Sequence, residues 1–288
     1  MAAEAYPQPG SSEAQRSSIV DHPVVYWGLA LFFLLIFLRI EVAIFFELSD
    51  LGTLAADNGL RLQQVRDLLA GQGWFDTHQY RYLPPQGTLM HWSRLVDAPI
   101  AAAILLLTPI TGQAGAEIAV ATGWPILLLA VYLALAVWAL MQIAGMRAAA
   151  LAVVVAVTLL PFRDLFGVGE LDHHNVQAIL TFTSALSFAF VPSRPLAPIV
   201  SGVCAALSLA VGLESLPFIA AIGAVYCLYW VFDARQARAF LLFAAALSLA
   251  SLVAFAAQTA PALWLTPFCD ILAMPLLTLI WGGLAASA

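Results

Sequence analysis

The sequence predicts an all-α polytopic membrane protein of about eight transmembrane helices, with a long first outer loop that carries amphipathic and interfacial helices. Three observations predict it. The 288 residues are 62% hydrophobic and only 10% charged, where a soluble domain is about half apolar. Several apolar runs approach the roughly 20 residues that a helix needs to cross a bilayer. No run alternates apolar and polar residues as an outer-membrane barrel strand does. A mean hydropathy of +0.93 agrees. One helical bundle accounts for the length more simply than two domains.

Residues 1–22 are polar and rich in Ser, Ala and Pro, without the apolar core and cleavage site of a signal peptide. They read as a disordered cytoplasmic tail ahead of a single transmembrane domain, 23–288. The first span is expected at about 23–46, with Arg39 and Glu41 snorkelling near its outer end. Residues 47–95 are too polar to span, and a connection this long is usually functional or disordered. Its aromatic residues argue for order. Within it, 57–70 reads as a helix with Leu62, Val65 and Leu69 on one face, and Asp57, Arg61 and Gln64 on another. Pro84-Pro85-Gln86-Gly87 signals a turn. The apolar stretch 96–110 is short and bounded by Pro99 and Pro109, which suits an interfacial helix and extends the large outer loop to 115. Further spans are expected at about 117–142, 148–162, 175–191, 196–213, 216–232, 239–257 and 271–285, with a second outer loop at 163–174.

The distribution of Arg sets the expected orientation. With the N-terminus inside, Arg16, Arg147, Arg194, Arg235 and Arg238 are cytoplasmic. Asp50, Asp57, Asp67, Asp76, Glu170, Asp172, Glu214 and Asp270 then lie outside. The net charge of −6 argues against nucleic acid as a partner. Cys204, Cys227 and Cys269 form no CxxC pair and read as packing residues rather than a disulfide or zinc framework.

Two stretches concentrate the chemistry: Asp57 to Arg61 through Met90 to Arg94, and Gly169 to Asn175. Asp57 reads as a helix N-cap or as a carboxylate for a metal or a proton. Glu170 and Asp172, two apart, can face one ion if the segment is extended, or Asp172 can cap the next helix. His173 and His174 lack any HExxH-type spacing, so contacts to phosphate or acceptor are expected ahead of zinc. Arg61, Arg81 and Arg94 can neutralise a phosphate, or can pair with Asp57, Asp67, Asp76 or Asp97. Trp74, Tyr80, Tyr82 and Trp92 can stack on a sugar or sit in an interfacial aromatic belt. Glu214 can complete the site or end a helix.

The order of parts resembles the GT-C superfamily of polyprenyl-phosphate-dependent glycosyltransferases, most closely the catalytic subunits of oligosaccharyltransferases. The resemblance rests on an early Asp57 after an N-in span, a span opening near Trp124-Pro125, and the acid-x-acid motif Glu170-Leu171-Asp172. Asp172-His173-His174-Asn175 and the loop Trp74-Phe75-Asp76, Pro84-Pro85-Gln86-Gly87, His91-Trp92-Ser93-Arg94 look like bacterial relatives of that group. Asn58 stands where many relatives carry a second acid. The resemblance covers the N-terminal, catalytic-loop half of the family, so a partner chain supplying the other half is an expected partner. It implies a lipid-linked sugar donor and an inverting transfer at the outer face of a bacterial inner membrane. It implies Asp57, Glu170 and Asp172 as catalytic ligands of Mg²⁺ or Mn²⁺. Arg61, Arg94, His91, Trp92, His173, His174 and Glu214 are expected to hold substrate and phosphate. A transporter or lipid flippase, or a truncated non-catalytic membrane scaffold, is the alternative.

Overall fold

A computed structural model describes residues 22–48 and 51–287. The predicted tail up to residue 21, with Arg16, and the predicted outer acid Asp50 lie outside the described residues. The described chain is helical apart from one small hairpin. Its elements are α1 (Pro23–Leu48), α2 (Ala56–Leu69), β1 (His78–Gln79), β2 (Thr88–Leu89), α3 (Arg94–Ile143), α4 (Gly145–Thr158), α5 (Leu160–Phe166), α6 (His174–Ala189), α7 (Ala197–Val211), α8 (Leu216–Phe232), α9 (Ala237–Gln258) and α10 (Met274–Ser287).

Four helical stretches are long and apolar enough to cross a membrane: Pro23–Phe46, Arg94–Ile143, Leu213–Phe232 and Ala234–Gln258. α4, α7 and α10 are apolar but shorter. The chain therefore has the makings of a helical membrane protein. The long α3 is two helices joined at Gly112, whose φ of 71° is one that only glycine adopts without strain. That break falls where the interfacial stretch was expected to end.

The expected span at 148–162 is cut short. α4 ends at Thr158, Leu159 turns extended, and α5 begins with a proline in its first turn. Proline has no N–H to carry the α4 ladder onward, but the first turn of a helix needs none. Part of the expected second loop, 163–166, is therefore helical. Glu41 does not snorkel. It is buried on α1, and its carboxylate takes the Nε of Arg163 at 2.6 Å. A buried carboxylate needs a cation, and α5 supplies one.

α1 packs on α4, α3 packs on α4 and α6, and α7 lies between α6 and α9, with α10 against α9. Small and hydroxylated residues let these helices approach, as in membrane bundles generally. Ser201 and Ser184 exchange hydrogen bonds with each other's carbonyls at 2.8 and 2.9 Å. Gly202 faces α9 so closely that a Cβ there would strike the Phe243 carbonyl, the Ala246 methyl and the Leu247 nitrogen. Two of those atoms are backbone and cannot rotate away. Gly202→Val is therefore expected to force α7 off α9 and lower stability by about 3 kcal/mol or more. Heating the purified variant and wild type in the same detergent checks this: equal midpoints of aggregation would refute the close packing.

The long first loop is a folded layer. Leu62 and Val65 of α2 pack with Val96, Ile100 and Ile104 of α3, with Ala116 and Val120 beyond the break, and with Leu171. Trp74 donates its indole N–H to the Ala257 carbonyl at 2.6 Å, and the Ser93 hydroxyl donates to Gln258 at 2.5 Å. These contacts pin the layer to the end of α9. The Pro84-to-Gly87 turn closes the hairpin, in which His78 pairs with Leu89 and Gln79 with Thr88.

Candidate functional site

The two polar stretches meet at one end of the bundle. α2 turns Asn58, Arg61, Leu62, Gln64 and Val65 inward. Asn58 is the joint. Its Oδ1 accepts from the backbone nitrogens of Leu171 and Asp172, both at 2.8 Å, and its Nδ2 donates to Glu170 Oε2 at 2.8 Å. One amide thus fixes the whole acid-x-acid segment across more than a hundred residues of chain. Asn175 adds a bond from its Nδ2 to the Glu170 carbonyl at 3.0 Å.

One turn further along α2, Arg61 is fully buried. Its Nη1 donates to Asp97 Oδ1 at 2.8 Å, and its Nη2 lies 3.5 Å from Asp172 Oδ1. The guanidinium also stacks over the buried Trp92 ring, 4.6 Å from its centroid. Arg94 takes the other oxygen of Asp97 at 3.1 Å. It also donates to Gln72 Oε1 at 3.0 Å and to the Asp76 carbonyl at 2.5 Å. The arrangement is a buried ionic knot in which one carboxylate holds two guanidiniums.

Beyond the knot lies the acid–imidazole cluster. Asp172 Oδ1 is 2.6 Å from His173 Nδ1, and Asp172 Oδ2 is 3.3 Å from His174 Nε2. His173 Nε2 faces Glu214 Oε1 at 3.5 Å, and Gln177 holds Glu214 through a 3.1 Å bond. Asp172 and His173 are buried, while His174 is half open to the outside.

The two carboxylates of the motif titrate in opposite directions. Burial raises the Glu170 pKa, the charges of Asp172, Asp164 and Glu41 raise it further, and the Asn58 amide opposes them in part. Burial also acts to raise Asp172, but the hydrogen bond and charge of His173, with the charge of Arg61, outweigh it. Asp172 is held well below the usual carboxylate range. Environments that push neighbouring carboxyls apart are how one site obtains both a base and a fixed anion.

No family model matches the chain. No curated protein and no solved structure matches it either.

The expected residues do not all meet. Glu170, Asp172, His173, His174 and Glu214 come together, with Trp92 and Arg61 behind them. Asp57 does not join them: it is exposed in the first turn of α2 and has no hydrogen-bond or ion-pair partner among the described residues. Nor does it cap the helix, whose N-cap is Ala55 without a side-chain bond. Arg61 and Arg94 are buried and paired with Asp97, as the pairing alternative has it. Trp92 stacks on Arg61 instead of joining an aromatic belt. His91 stands apart, 3.9 Å from Asp270, on a cleft of about 50 Å³ between the hairpin and the ends of α7 and α9.

The expected carboxylate set for Mg²⁺ or Mn²⁺ does not converge. Among the described residues, the group able to hold an ion is Asp172, His173 and His174. Neither Asp57 nor Glu170 belongs to it, because Asp57 points away and Asn58 ties Glu170 to α2. Asn58 and Gln177 carry the site's geometry without having been expected to, while Asp97 takes the place expected of it as a partner for Arg61 and Arg94. Asn58 did leave a signal: it precedes Leu62 and Val65 by four and seven residues, so it lies on their apolar stripe.

Proposed function

We propose that the chain is a GT-C-type membrane glycosyltransferase, which moves a sugar from a polyprenyl-phosphate or -pyrophosphate donor to an acceptor at the outer face of a bacterial inner membrane. The observation that carries this reading is the pair Glu170 and Asp172: two carboxyls on one segment clamped by Asn58, at the rim of an apolar bundle, the first with its pKa raised by burial and the second with its pKa lowered by His173 and Arg61. The resemblance in the order of loops and motifs supports it.

In this reading Glu170 takes the proton of the acceptor as it attacks the anomeric carbon. The bond to the phosphate oxygen breaks on the opposite face, so the centre inverts, and the phosphate leaves on its lipid. Asp172 stays charged throughout and stabilises the positive charge that develops on the sugar ring. His174, half open beside it, donates a hydrogen bond to the departing phosphate. Buried Arg61 and Trp92 act as the wall that fixes His173 and Asp172.

The proposed orientation keeps the N-terminus inside, with eight spans once the shorter apolar helices and α6 are included. Arg147 lies over Tyr26 at the start of α1, and Arg194 lies over Trp138 near the end of α3. These cations therefore collect at the end of the bundle away from the acids, which agrees with a positive-inside arrangement.

Purified protein in liposomes is expected to release sugar slowly from a polyprenyl-phosphate donor without any added acceptor. Asp172→Asn and Glu170→Gln are expected to reduce that rate about a hundredfold or more. Absence of both binding and turnover across a panel of donors would sink the reading. Substrate flux across the vesicle wall that survives both substitutions would replace it with a transporter.

A further inference from the structure

Asp172, His173 and His174 are consecutive, yet one ligand-competent atom from each lies within 4.8 Å of the others. They converge because the chain bends at Asp172, turns at His173 and enters α6 at His174. One pair among them already has the spacing of a coordination shell. A tetrahedral ion with bonds of about 2.0–2.1 Å keeps neighbouring ligand atoms roughly 3.3–3.4 Å apart. His174 Nε2 and Asp172 Oδ2 are 3.3 Å apart and make no closer contact with each other.

Two further features fit an ion. The His173 side chain is only 3% exposed, and its Nε2 has no hydrogen bond among the described residues, with Glu214 Oε1 the facing carboxylate at 3.5 Å. A buried ring nitrogen with only a long contact to a carboxylate is costly unless something completes it. The contact of 2.6 Å between His173 Nδ1 and Asp172 Oδ1 is of the carboxylate–histidine kind that orients ligands around metals. Arg61 would repel a cation: its Nη2 lies 3.2 Å from His173 Nδ1 and 3.5 Å from Asp172 Oδ1, but Asp97 neutralises that guanidinium at 2.8 Å, and the Nε2 side of the His173 ring faces away from it.

We infer that Asp172, His173 and His174 form a nitrogen-rich site for a borderline divalent ion such as Zn²⁺ or Co²⁺, with an open position on the His174 side. Imidazole nitrogens select such ions, whereas Mg²⁺ demands an octahedral shell of oxygens. Three protein ligands with one free position is the pattern of a reactive rather than a purely structural zinc centre. This differs from the carboxylate site for Mg²⁺ or Mn²⁺ that the family resemblance implies. It does not depend on the glycosyltransferase reading, because binding is measured without a donor.

The test is a Co²⁺ titration of the full-length protein, purified metal-free in lipid nanodiscs. One equivalent is expected to bind with the visible absorption of tetrahedral Co²⁺. Zn²⁺ is expected to displace it, and Mg²⁺ in large excess is not. His174→Ala and Asp172→Asn are expected to abolish the spectrum, while Asp57→Asn and Glu170→Gln retain it. His174→Cys guards against simple misfolding, since it is expected to bind Co²⁺ and to add a thiolate charge-transfer band. Substoichiometric Co²⁺, competition by Mg²⁺, or loss of binding in Asp57→Asn or Glu170→Gln would overturn the assignment. Failure of donor turnover with Co²⁺ binding intact would count against the glycosyltransferase reading alone.

Discussion

Asp97→Ala is expected to unfold the layer that carries the site. Asp97, Arg61 and Arg94 all have side chains with no exposure, and the single carboxylate answers both guanidiniums at 2.8 and 3.1 Å. Its removal strands two buried cations. Breaking one buried pair costs about 3–5 kcal/mol, which is a large share of the 5–15 kcal/mol by which a domain is stable. Arg94 retains its bonds to Gln72 and the Asp76 carbonyl, but neither partner carries a charge. Arg61 would turn to Asp172, pulling it from His173 and opening the cluster. The damage therefore runs from packing to chemistry. The expected results are poor recovery of monodisperse protein and rapid proteolysis between α2 and the hairpin, while the α7–α9 pair stays intact. Removing charge of both signs should hurt less than removing one. Asp97→Leu combined with Arg94→Leu is expected to recover part of the lost stability, since it leaves one stranded cation, Arg61, in place of two. Wild-type thermal stability in Asp97→Ala alone would show that the knot is not holding this layer.

The same knot marks the limit of what the chain reveals before it is folded. Hydropathy makes the bundle legible, because lipid leaves the backbone little choice but the helix. The meeting of the two polar stretches was also legible, from charge placement alone. Which residues face each other was not. Adjacent positions on a helix differ by about 100°, so an acid at Asp57 and an amide at Asn58 have opposite fates. Charge draws attention to Asp57, but the apolar stripe of Leu62 and Val65 carries Asn58 inward. Arg61 and Arg94 show a second ambiguity. An Arg in a polar loop reads equally as a phosphate ligand or as the partner of a carboxylate, and among Asp57, Asp67, Asp76 and Asp97 only packing brings Asp97 within 3 Å of Arg61. The consecutive residues Asp172, His173 and His174 escape spacing rules for a third reason. Metal signatures assume a regular helix or loop, and this convergence depends on a bend just before α6.

Asn58 gives the prediction that separates anchoring from charge. Asn58→Leu removes the acceptor of two buried backbone N–H groups, those of Leu171 and Asp172, and the donor to Glu170. Each unsatisfied buried group costs about 1–3 kcal/mol, so a loss of about 2–6 kcal/mol is expected, with the activity of the acid-x-acid segment lost alongside. Asn58→Asp is the informative partner. The introduced carboxylate can still accept from both amides, so the segment should stay anchored. It loses the donor to Glu170 and sets a second negative charge about 2.8 Å from a carboxyl whose pKa burial already raises. Two such acids share a proton more readily than they both ionise, which raises the folded-state pKa of the pair above its unfolded value. The sign follows from linkage: the folded state binds the extra proton, so the variant should be nearly as stable as wild type in mild acid and lose stability as pH rises through the raised value. The wild type, with an amide in that position, should show a weaker trend. Thermal midpoints of the two proteins across mildly acidic to neutral pH decide it. A constant gap at every pH would mean that position 58 acts only through its backbone contacts. A gap that widens with pH would show that a neutral amide is needed there to keep a second negative charge away from Glu170.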